Sequence, residues 1–262
     1  MNKLPAKILF LLVLSLPFFS FAQTAKAKGE FYQLTVYHFS TAEQQQVIEQ
    51  YVKDAYLPAL HKQQIKNVGV FTPIANDTAT DKRLYIILPV KSLQQVADIS
   101  AKLVTDTRYQ ASGKTYLEAG YKTPPYKRLE NILAQSFPLA PSLILPKLSG
   151  PKSERVYELR SYESATEKIF ANKVKMFNEG GEITLFKQLN FNAVFYSSVI
   201  AGSNMPNLMY MTSFENMADR DAHWKSFGSA PEWKKLSGMP EYQNNVSKNT
   251  IVFLRPTEYS DY

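Results

Sequence analysis

The sequence predicts an α+β fold made of two tandem units, each of β-α-β-β-α order, packed sheet against sheet. Three observations carry this expectation: a self-similarity at a spacing near 124 residues, strand-like alternation at matching places in both halves, and helix-start signals that recur with the same spacing. The chain has 262 residues, 45% hydrophobic, with no cysteine and three histidines. That composition supports a folded core and excludes disulfide frameworks, thiolate metal sites and cysteine nucleophiles.

Residues 1–22 stand apart. Lys3 and Lys7 precede an apolar run from Ile8 to Phe19, and Ser20-Phe21-Ala22 offers small residues at a cleavage point. The segment reads as an export signal, with a mature chain from Gln23 that is periplasmic or extracellular if the source is bacterial. No later stretch is apolar enough to span a bilayer, so no integral membrane segment is expected after cleavage. The formal net charge is +7. Lys and Arg against Asp and Glu count 15 to 10 in residues 23–150 and 13 to 13 in 151–262. These lysines are dispersed, so no nucleic-acid partner is expected.

The first unit, 23–122, begins with a strand at Phe31-Tyr32-Gln33-Leu34-Thr35-Val36-Tyr37. At a shift of 125 this resembles Val156-Tyr157-Glu158-Leu159-Arg160-Ser161-Tyr162, which opens the second unit, 154–262. Helices are predicted over 42–57 and 165–177, started by the capping boxes Ser40-x-x-Glu43 and Ser164-x-x-Glu167. Strand pairs follow at 68–74 with 84–90 and at 192–201 with 207–214, each separated by turn-forming residues. Ser92-x-x-Gln95 and Asn216-x-x-Asp219 then start helices over 93–104 and 217–227. A further helix near 182–189 follows Gly180-Gly181, read as a cap or hinge. The stretch 123–153, holding Pro124, Pro125, Pro138, Pro141, Pro146 and Pro151, reads as a linker with a short helix at 128–135.

Such units have the ferredoxin-like pattern, whose antiparallel sheet buries one face under helices and needs cover on the other. Two copies in one chain can cover each other. In the second unit, Val156 to Tyr162, Asn192-Ala193-Val194-Phe195-Tyr196, Pro206-Asn207-Leu208-Met209-Tyr210-Met211, Phe214-Glu215-Asn216-Met217, His223-Trp224 and Pro231-Glu232-Trp233-Lys234 together resemble the NIPSNAP family, strongly over 154–262 and weakly over 31–122. The resemblance implies a dimeric α+β barrel, here intramolecular, and allows a homodimer of the whole chain. That superfamily spans monooxygenases, haem proteins and small binding proteins, so the resemblance leaves the activity open.

If Tyr157 and Leu159 pack under the helices, Glu158, Arg160 and Tyr162 line the barrel cavity, where an acid and a guanidinium could orient a small polar ligand. The alternative is that they satisfy one another or face solvent at an open barrel mouth. Tyr196 and Trp224 are candidate ligand-binding aromatics, each also suited to a core. His223 is the candidate catalytic residue, as base, acid or haem ligand, although it sits one step off the apolar row of Met217, Trp224 and Phe227. The first copy carries Gln33, Thr35, Ile99 and Ser100 where the second has Glu158, Arg160, His223 and Trp224, so the second unit is expected to hold the site. The leading reading is small-molecule binding in the barrel cavity of the second unit, with no cofactor and no metal. The alternatives are a cofactor-independent monooxygenase or isomerase using His223 with Glu158, Arg160 and Tyr162, a haem-binding protein, and an interaction protein without a pocket.

Overall fold

The computed structural model describes residues 29–262, so the predicted export signal at 1–22 lies outside the described residues. Eight antiparallel strands close into a barrel: β1 (Phe31–Phe39), β2 (Gly69–Pro73), β3 (Lys82–Val90), β4 (Arg128–Ser136), β5 (Val156–Glu163), β6 (Phe195–Ala201), β7 (Asn207–Phe214) and β8 (Lys248–Pro256). Their order around the ring is β1-β3-β2-β8-β5-β7-β6-β4. Each half therefore contributes a four-stranded sheet of the same internal order, and the seams are β2 against β8 and β4 against β6. Closure leaves none of these strands with an unpaired edge, which removes the usual route to edge-to-edge association.

The helices lie on the outside. In the first unit α1 (Ala42–Tyr51) continues through a π-helical turn at Val52–Tyr56 into α2 (Leu57–Lys62), and α3 (Leu93–Thr105), α4 (Thr107–Ser112) and α5 (Lys114–Leu117) follow β3. In the second unit α6 (Glu167–Asn178) and α7 (Glu182–Gln188) follow β5, and α8 (Met217–Ser229) and α9 (Pro231–Ser237) follow β7. Ser92 caps α3 as predicted, accepting from the Gln95 amide at 3.2 Å, and Asn216 caps α8, accepting from the Asp219 amide at 2.9 Å. The other two caps move. Thr41 caps α1 and Thr166 caps α6, while the Ser164 hydroxyl instead donates to the Asn245 carbonyl at 2.7 Å. At the start of α7, Gly181 has φ +95°, a left-handed conformation that favours glycine.

Two elements differ from expectation. Residues 128–135 form β4, not a helix. Ile132, Ala134 and Ser136 are buried at a period of two, and the strand pairs with β1 from His38 opposite Arg128 to Phe31 opposite Gln135. Prolines on both sides disguised this nine-residue strand as part of a linker. β8 is an additional strand, and with β4 it completes a β-α-β-β-α-β order in each unit. No helix of the described residues is long and apolar enough to cross a membrane.

Three cores result. One lies under the first unit's helices and includes Tyr37, Ile48, Tyr51, Leu60 and Ile86. A second lies under the second unit's helices and includes Tyr162, Phe177, Phe186, Phe191 and Tyr210. The third fills the barrel with Leu34, Val36, Phe71, Ile87, Tyr157, Leu159, Met209, Met211 and Leu254. The facing assigned to β5 from its sequence is thus reversed: Tyr157 and Leu159 point into the barrel, and Glu158, Arg160 and Tyr162 point toward the helices.

Candidate functional site

On the helix side of β5, Glu158 is completely buried and anchors a charged cluster. Its Oε1 accepts from Arg160 Nε at 2.5 Å and from Arg220 Nη2 at 3.1 Å. Its Oε2 accepts from Arg220 Nε and from Trp224 Nε1, each at 2.7 Å. Arg220 and Trp224 are four residues apart on α8, so one face of that helix presents a forked guanidinium and an indole to the same carboxylate. The Arg160 guanidinium lies 3.7 Å from the centre of the Trp224 ring and donates to the Tyr162 hydroxyl at 2.9 Å, which in turn bonds Tyr210 at 2.9 Å. Burial is the largest influence on Arg160 and opposes its charge, but the surrounding tyrosines and Glu158 prevail and raise its pKa further, so it stays protonated.

The predicted group of Glu158, Arg160, Tyr162 and Trp224 is therefore brought together, but as a filled lock between sheet and helix and not as the lining of an open cavity. Arg220 and Tyr210 complete it. Sequence reasoning missed Arg220, although its i, i+4 spacing to Trp224 was the available signal once a buried acid on β5 was suspected. A neighbouring buried pair, Lys173 and Glu182 at 3.0 Å, was also missed. Desolvation raises the Glu182 carboxyl above its ordinary value, against the pull of Lys173.

His223 lies apart from these bonds. Its Nδ1 is 2.9 Å from the Asp219 carbonyl and 3.2 Å from the Asp219 carboxylate, and its ring meets Phe191 and Phe214 at centroid distances of 5.6 and 5.5 Å. It serves α8 locally and packs against the second core, with its side chain 24% exposed. The remaining histidines are tied to carboxylates, His38 to Asp81 and His61 to Asp261, each at 3.0 Å. Among the described residues no three His, Asp or Glu side chains gather closely enough to hold a metal ion.

An open site occurs elsewhere in the second unit. A groove of about 530 Å³ runs between the segment 139–144, α7 and the start of β6. Phe186, Phe191, Ala193, Phe195 and Tyr196 wall it, Lys187 and Asn190 offer polar contacts, and Leu139 and Ile144 stand at its rim. Leu139 is 56% exposed and Ile144 62% exposed, unusual for side chains of this kind. Asn190 and Asn192 hold positive φ values of 56° and 43° on either side of Phe191, and this kinked backbone turns the buried ring into the second core. Of the predicted ligand-binding residues, Tyr196 alone lines this groove.

A ring of eight antiparallel strands with helices only on its outer side, formed by two halves of like topology, defines an α+β barrel of the dimeric type closed within a single chain. Residues 157–261 match the NIPSNAP family model. Among curated proteins none matches the chain. Among solved structures it is similar to a monooxygenase candidate from Lactobacillus acidophilus NCFM, with a TM-score of 0.55 and 11% identity over 87% of this chain and 94% of that one. It is also similar to a monooxygenase candidate from Fusobacterium nucleatum, with a TM-score of 0.55 and 8% identity over 88% of this chain and 93% of that one. An anthrone oxidase-like protein superposes with a TM-score of 0.51 and 8% identity over 88% and 93% of the two chains. At such identities these likenesses show the fold.

Proposed function

We propose that this protein is an exported small-molecule-binding protein whose ligand is predominantly apolar and occupies the groove of the second unit, on the helix side of the sheet. The observation that supports this most directly is the groove of about 530 Å³, walled by aromatic rings and rimmed by the exposed Leu139 and Ile144. Its size falls in the range of small-molecule sites, and exposed apolar side chains beside such a hollow gain free energy when a ligand covers them. Lys187 and Asn190 supply the polar contacts that would orient the ligand's polar end. The state of the charged groups supports binding over chemistry: Glu158, Arg160 and Arg220 already satisfy one another, and His223 is bonded within its own helix.

Nile red is a suitable apolar probe. The expected result is saturable, blue-shifted emission with the folded protein, weakened at least tenfold in Ala193→Trp, which fills the groove from its half-buried floor. Ile144→Ser should weaken it by a smaller factor without affecting folding, because that side chain is exposed. Absence of saturable emission, or equal affinity in Ala193→Trp, would remove the groove as the ligand site. Export is tested separately: the mature protein should begin at Gln23, and a full-length chain in the secreted fraction would contradict it.

A further inference from the structure

The two units differ most where their sequences diverge. In the second, Arg160 and Trp224 stack and fill the space between β5 and α8. In the first, at the corresponding shifts of 125 and 124, stand the much smaller Thr35 and Ser100. A cavity of about 310 Å³ lies between β1, β4 and helices α1 and α3 to α5, and both Thr35 and Ser100 line it.

Its floor is neutral and polar. Asn131 Oδ1 accepts from Thr35 Oγ1 at 2.7 Å and from Gln33 Nε2 at 3.0 Å. Those bonds leave the Asn131 amide donor and the Gln33 carbonyl free to face a ligand. Its walls carry five tyrosines beside Ile99, Leu103, Val104, Leu117 and Leu129. Tyr51 and Tyr116 stack at 3.8 Å with their planes 10° apart, Tyr116 donates to Tyr37 at 3.1 Å, and Tyr51 shares a bond of 2.8 Å with Tyr109. Burial pushes the Tyr51 and Tyr37 hydroxyls far above their ordinary range, so these groups remain neutral. Among the described residues no charged side chain contributes to the lining, in contrast to the cluster at the same place in the second unit.

We propose that this tyrosine-walled cavity of the first unit is a binding site for a neutral phenolic molecule of one or two rings. The rings would pack edge-to-face against the tyrosines, and a hydroxyl would bond to Gln33 and Asn131. A carboxylate or a cation finds no counter-charge there and would leave its hydration uncompensated. This assignment is independent of the groove in the second unit.

The test is NMR of protein labelled with ¹³C on its tyrosine rings, titrated with resorcinol and, in parallel, with benzoate. Resorcinol should shift the signals of Tyr37, Tyr51, Tyr109 and Tyr116 saturably, leave the Trp224 and Trp233 indole signals in place, and bind at least tenfold tighter than benzoate. Ser100→Trp, which places an indole where the second unit has Trp224, should weaken resorcinol at least tenfold. If that variant does not fold, Thr35→Val, nearly isosteric but unable to bond Asn131, should weaken it several-fold. Resorcinol shifts confined to tyrosines outside this group, no saturation, equal affinity for benzoate, or unchanged affinity in the variants would overturn the assignment. Nile red binding in the second unit should be unaffected by Ser100→Trp, so the two sites fail or stand separately.

Discussion

Replacing Glu158 by Gln separates a structural lock from a ligand site. The carboxylate accepts four N–H groups, from Arg160, Arg220 and Trp224, with no exposure to solvent. Glutamine keeps the volume but removes the only carboxylate that both guanidinium groups contact, and one of its two terminal groups becomes a donor facing donors. Arg160 cannot relieve the loss by deprotonating, because a guanidinium keeps its proton in proteins. Breaking a buried ion pair by removing one partner costs about 3–5 kcal/mol. For a chain of this size that corresponds to a fall in Tm of roughly 6–20 °C. Urea unfolding followed by tryptophan emission is the assay, since Trp224 is itself a donor to Glu158. Adding Arg160→Met to Glu158→Gln should recover part of the loss, because the stranded charge is then removed. A cost below about 1 kcal/mol would show that the cluster is not desolvated as described, and would reopen it as a ligand site.

Glu215 accepts from the Ser149 and Gly150 amides at 2.8 and 2.7 Å, and these backbone bonds hold its carboxyl below the ordinary value of 4.5. A lowered native pKa contributes stability above the unfolded value that is lost as pH falls through the native one. The Tm difference between wild type and Glu215→Gln should therefore be present at pH 7 and shrink below about pH 4.5, as thermal melts across pH will show. Leu159→Ala opens a hole in the packed barrel and should cost about 2–5 kcal/mol by chemical unfolding, while Nile red affinity stays unchanged.

How far the sequence carried depended on whether a signal was local. The internal repeat located β1, β5 and both strand pairs, and Ser92 and Asn216 marked helix starts because a cap needs only residues three apart. β4 escaped because its period-two burial of Ile132, Ala134 and Ser136 is short and lies between prolines. The facing of β5 escaped for a different reason. Almost every residue of that strand is buried, so alternation between polar and apolar side chains separates two interiors and does not mark solvent. Glu158 and Arg160 belong to the helix side because Arg220 and Trp224 wait there, more than sixty residues away in sequence.

The central claim is that ligands belong between sheet and helices while the barrel interior is closed core. A crystal structure of the protein with Nile red bound tests it most directly. The dye should lie against Phe186, Phe191 and Tyr196 beneath the 139–144 segment, with Leu34, Leu159 and Met211 still part of the closed core inside the barrel. Dye found inside the barrel among those last three residues would contradict the account.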